Sequence, residues 1–84
     1  MDLQSKDLWA ALDHLAAQAG RTRSGLARAA GLDPTAFNLS KRTLSGGQAR
    51  WPSTATLAKV LSATNMSFSE FAKLVEREQD GTPP

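Results

Sequence analysis

The sequence predicts an all-α fold, a compact domain of five short helices, and three observations carry that expectation. Alanine occurs 14 times and leucine 11 times, against two valines and no isoleucine. That composition favours helix and starves strands of the β-branched residues they prefer. Apolar residues return at three- and four-residue intervals, the spacing of one helix face. Capping residues and glycines punctuate those runs. At 84 residues the chain has the size of one domain, with a small core and no room for a deep substrate cavity.

The first helix is expected from Ser5, as N-cap with Asp7 in the positive first turn, to Ala19, with Gly20 as its stop. Leu8, Leu12, Leu15 and Ala19 form its buried stripe, widened by Trp9 and Ala16, and His14 falls on the solvent side. A second helix, capped by Thr22 and stopped by Gly31, spans 23–30 and buries Leu26, Ala27 and Ala30. Leu32-Asp33-Pro34 restarts a helix at once. Asp33 caps it, Pro34 takes the first helical position and Leu32 staples onto Phe37, so this third helix should run over 34–42.

Residues 43–52 contain Ser45-Gly46-Gly47 and Pro52 and read as a loop, with Trp51 expected to plug the core and anchor it. Ser53 caps a fourth helix whose buried face is Leu57, Val60, Leu61 and Thr64, and Asn65 ends it. The Ser67/Glu70 capping box and the Met66/Phe71 staple start a fifth. Its stripe is Phe68, Phe71, Ala72 and Val75, with Leu74 at the edge where it could face a partner. The domain is expected over 5–76, and 77–84 as a disordered tail or the start of an interdomain linker.

Composition narrows function. No cysteine excludes disulfides and thiolate chemistry, and a single His without partners makes a structural zinc site unexpected. No cofactor is expected, and no catalytic set is in view, so an enzyme is disfavoured. No apolar run approaches a membrane span and no signal peptide opens the chain, so the expected compartment is the cytoplasm. The charges are segregated. Residues 21–59 hold seven basic groups against one acid, Asp33, while the rest of the chain holds three basic groups against seven acids. A cationic middle between anionic ends suits one face meeting a polyanion, which makes nucleic acid the leading partner class.

The second and third helices meet through a turn centred on Gly31. With Arg23 as the first position of a 20-residue window, small Ala27 stands fifth and Gly31 ninth, with apolar Leu26, Ala30, Leu32 and Phe37 at the fourth, eighth, tenth and fifteenth. Each slot has a steric cause: a close helix crossing, a left-handed turn, and a fixed angle that would project the later helix into a major groove ~12 Å wide. On these residues the chain resembles the lambda-repressor-like helix-turn-helix family of bacterial and phage regulators, over residues 5–76. More particularly, Ser24-Gly25-Leu26-Ala27-Arg28, Gly31-Leu32-Asp33-Pro34-Thr35 and Arg50-Trp51-Pro52-Ser53 resemble the N-terminal domains of phage-type repressors that carry a LexA-like self-cleaving peptidase domain behind a linker. The chain departs from many relatives at Pro34, where they use a base-reading Gln, and at Ser40, usually aliphatic.

On a continuous third helix the side opposite Phe37 would carry Thr35, Asn38, Leu39 and Arg42. These are the candidate base readers: Asn38 for adenine, Arg42 for guanine, Thr35 and Leu39 for a thymine methyl. Phosphate contacts are expected from Arg23, Ser24, Lys41, Thr43 and Arg50. The function expected is sequence-specific binding of double-stranded DNA by a transcriptional repressor that occupies its operator. One short reading element covers few base pairs, so the operator should be an inverted repeat bound by a homodimer that is weak or monomeric in free solution. The alternative is a protein-binding helical module, an antitoxin or adaptor, working through the fifth helix and Leu74.

Overall fold

The computed structural model describes residues 2–80. The all-α class holds, with four α-helices among the described residues instead of five: α1 (Ser5–Gln18), α2 (Arg23–Ala29), α3 (Thr54–Thr64) and α4 (Phe68–Asp80). α1 lies chiefly along α4, and α2 packs on both α3 and α1. The core between them is Trp9, Leu12, Leu15, Leu26, Phe37, Val60, Leu61, Phe71, Leu74 and Val75 with four small alanines. Four alanines let the helix backbones approach, which is how so short a chain closes a core.

The helix starts follow the capping logic closely. Thr22 Oγ1 accepts from the Gly25 N–H at 3.0 Å, and Ser53 Oγ accepts from Thr56 N–H at 3.0 Å. Ser67 and Glu70 form their reciprocal pair, each bond 3.1 Å. Only α1 begins differently: the Gln4 N–H donates to Asp7 at 2.9 Å, so Ser5 is the first helical residue and not the cap. Gly20 and Gly31 end α1 and α2 with φ of 68° and 73°, the left-handed backbone that glycine adopts without strain. Asn65 takes the same conformation after α3.

The third helix expected over 34–42 does not form. Residues 34–37 make one tight turn, Asn38 is extended (φ −63°, ψ 149°), and Leu39–Lys41 is a single 3-10 turn. The hydrogen bonds explain the break. In an α-helix the Phe37 carbonyl would accept from the Lys41 N–H; here it accepts from the Arg42 guanidinium at 3.0 Å, while the Lys41 N–H turns to the Asn38 carbonyl at 2.9 Å. Asn38 and Ser40 are also residues whose side chains compete with the helical ladder. The helix-turn-helix geometry is therefore corrected to a helix followed by two tight turns. Phe37 is still driven into the core, 1% exposed, with its ring edge-on to Trp9 at 6.5 Å.

Further expectations change as well. Trp51 is half exposed and not a core plug; Trp9 closes that region, its Nε1–H donating to the Arg50 carbonyl at 2.8 Å. Leu74 is buried, so it offers no edge to a partner, whereas Phe68 is exposed. Ala19 is exposed and Ala11 takes a core place instead. α4 continues to Asp80, past the expected domain end at 76, and residues 81–84 of the expected tail lie outside the described residues. Between Thr43 and Ala49 the loop closes on itself through one antiparallel bridge, with Gly47 at φ 81° in the turn.

Candidate nucleic-acid interface

The basic middle of the chain divides into cations that are committed inside the fold and cations that are free. Arg42 is committed. Its NH1 and NH2 donate to Asp13 Oδ2 and Oδ1 at 2.9 and 2.7 Å, and its guanidinium lies 5.2 Å from the Trp9 ring centre. With a side chain 14% exposed, Arg42 cannot reach a base edge without abandoning these contacts, so its assignment as a guanine reader is corrected to an internal anchor. Arg23 shares the same carboxylate, Nε to Oδ1 at 3.0 Å, but stays about half exposed. Burial pushes the Asp13 carboxyl up, and the hydrogen bonds and charges of Arg42 and Arg23 outweigh that, holding it below the ordinary carboxylate value.

Lys41 and Arg50 are free. Both are exposed, and neither forms an ion pair among the described residues. Arg50 is well positioned, because its N–H donates to the Arg42 carbonyl at 3.0 Å while its own carbonyl is held by Trp9. The backbone is pinned and the side chain is left to solvent. With Thr35 and Trp51, these two cations line one surface cleft of about 240 Å³ whose floor includes Trp9.

Thr35 is oriented by its neighbour: its N–H and hydroxyl both donate to Asp33 Oδ1, at 2.8 and 2.6 Å. Those bonds, the hydroxyl's first, hold the Asp33 carboxyl below its usual range. Asn38 and Leu39 are exposed but do not line the cleft, and Leu39 is 62% exposed. Thr43 opens onto a separate hollow with Arg42 and Asp13. Ser24 is half-buried, its hydroxyl 3.2 Å from that of Thr22.

Of the nine expected contact residues the structure thus brings together Thr35, Lys41 and Arg50, and draws Arg42 inward. Sequence reasoning missed Asp13, an acid four residues after Trp9 on the same face of α1 and therefore able to meet a cation stacked on that indole. The acids Asp2, Asp7 and Glu78 gather in a different hollow, between the start of α1 and the end of α4. Among the described residues no helix is long and apolar enough to cross a membrane, and no cluster of three or more metal-ligating side chains occurs. No family model, curated protein or solved structure matches the chain.

Proposed function

We propose that the chain is a sequence-specific double-stranded DNA-binding regulator of the lambda-repressor-like kind, a repressor acting by operator occupancy. The observation that carries this reading is the meeting of two exposed cations, Lys41 and Arg50, with Thr35 on one cleft, while Asn38 and Leu39, between Thr35 and Lys41 in the chain, are exposed. Both cations are exposed and neither forms an ion pair among the described residues, so they are free to replace the counterions of a phosphate backbone. Asn38, Leu39 and Thr35 then contact base edges from two tight turns, with no inserted helix, and Arg42 supports them from behind. Arg23 is half free to add a phosphate contact. The working unit is a pair of domains on an inverted repeat, weak or monomeric without DNA.

The test is a duplex-binding titration across salt. Lys41→Ala and Arg50→Ala should each flatten the log–log salt dependence by about 0.9 while weakening all duplexes alike. Asn38→Ala should cost about 1 to 3 kcal/mol on a selected site and relax preference at one base pair. A parent slope near zero would sink the reading. It would favour the protein-binding alternative, for which the exposed Phe68 offers a surface in place of buried Leu74.

A further inference from the structure

The duplex reading leaves Trp51 and Asp33 without a task, yet both line the cleft that Lys41 and Arg50 flank. Trp51 is 50% exposed, so part of its aromatic surface is open to a stacking partner. It also lines a second hollow with Leu3 and Ala49, so two depressions meet at this residue. The backbone just before it is pinned at both Arg50 groups. Asp33 Oδ1 is occupied by Thr35, while Oδ2 has no hydrogen-bond partner among the described residues.

A carboxylate in this position would repel a phosphate seated inside the cleft, so the cleft is not a simple anion hole. Two exposed cations, one free carboxylate oxygen and a half-exposed indole on one cleft instead match a nucleobase on the indole with its phosphates on the cations. In a paired duplex no base face is available, which points to an unpaired strand.

We propose that this cleft binds a single unpaired base of single-stranded DNA, stacked on Trp51, with the flanking phosphates on Lys41 and Arg50. Asp33 Oδ2 selects among bases by accepting from an exocyclic amino group. Cytosine presents that donor, whereas thymine offers an oxygen in its place. This activity goes beyond duplex binding and does not rest on it.

The experiment titrates the full chain with short labelled oligo-dC, oligo-dT, an abasic strand of the same length and a duplex, following anisotropy and tryptophan fluorescence. Oligo-dC should bind at least about fivefold tighter than the abasic strand and quench the indole signal. Trp51→Leu should abolish the gain over the abasic strand, and Trp51→Phe should keep most of the affinity. Asp33→Asn should erase the preference for dC over dT. Circular dichroism of each variant separates loss of binding from loss of fold. Equal affinity for the abasic strand, or undiminished oligo-dC affinity in Trp51→Leu, would overturn the proposal. Duplex binding without single-strand binding would overturn it alone, leaving the regulator reading intact; single-strand binding without duplex binding would do the reverse.

Discussion

Arg42→Ala distinguishes an internal anchor from a base reader. The substitution removes two hydrogen bonds to Asp13, one to the Phe37 carbonyl and the stacking on Trp9. Charge-assisted bonds contribute about 1.5 to 3 kcal/mol each in isolation, but these share one guanidinium and do not add. Removing one partner of a fully buried pair costs about 3 to 5 kcal/mol; Asp13 is 31% exposed, and water screening on that side brings the expected loss to about 2 to 3 kcal/mol. For a domain of this size the melting temperature should fall by roughly 10 to 20 °C.

Far-UV circular dichroism melts at neutral pH measure this directly. Arg42→Lys should recover only a minor part, since an ammonium cannot make the two-pronged contact. The pH dependence has a defined sign. Because the folded Asp13 pKa lies below its unfolded value, the contribution is fully present above about pH 4 and is lost as pH falls through the lower folded value. The gap between wild type and Arg42→Ala should therefore narrow in acid. A loss under about 3 °C, accompanied by a changed base preference on selected duplexes, would refute the anchor and return Arg42 to the reading surface.

Phe37→Ala, which empties the side chain that ties the two turns to the core, should cost about 3 to 5 kcal/mol in urea unfolding. A cost below about 1 kcal/mol would mean that the turns are held by other contacts. Ser53→Ala should lower stability by about 1 kcal/mol through loss of the α3 cap, with Ser53→Asp restoring it; equal melts for all three would discount the cap. Glu70, held below its usual range by the Ser67 N–H and hydroxyl, and Asp33 and Asp13, likewise depressed, should make the chain lose stability as pH falls below about 4, with little change between pH 5 and 7. A stability that rises in acid would contradict all three assignments.

The local signals were legible because they are local. Thr22, Ser53 and the Ser67/Glu70 pair each satisfy backbone donors within three residues, so their chemistry is written in adjacent letters. Gly31 is similar, since a left-handed residue at the end of α2 needs no distant partner. The break at Asn38 was not legible. Pro34, the Asp33 cap and buried Phe37 all argue for a helix over 34–42, and what interrupts it is a guanidinium from Arg42 taking the Phe37 carbonyl while Asp13, 29 positions away, holds the other side of that guanidinium. Trp51 failed for a related reason: Trp9 already fills the place expected of it, and only tertiary packing decides between two indoles.

The same Asp13 explains why the candidate surface is smaller than the charge count suggests. Seven cations crowd residues 21–59, yet one α1 carboxylate draws Arg42 inside and shares Arg23. Neutralising a cation internally has a geometric return: it anchors the residue next to Thr43, whose bridge to Ala49 starts the closed loop that ends at Arg50. Arg42 also accepts the Arg50 N–H through its own carbonyl, so the inward cation positions the backbone of an outward one. Positive charge that looks redundant in sequence is thus divided between holding the loop and facing the partner. Asp13→Asn should for that reason disturb the presentation of Arg50 as well as free Arg23, weakening duplex binding at high salt even though it raises the net charge by one. If it tightened binding at every salt concentration, charge alone would govern affinity and the positioning argument would fall.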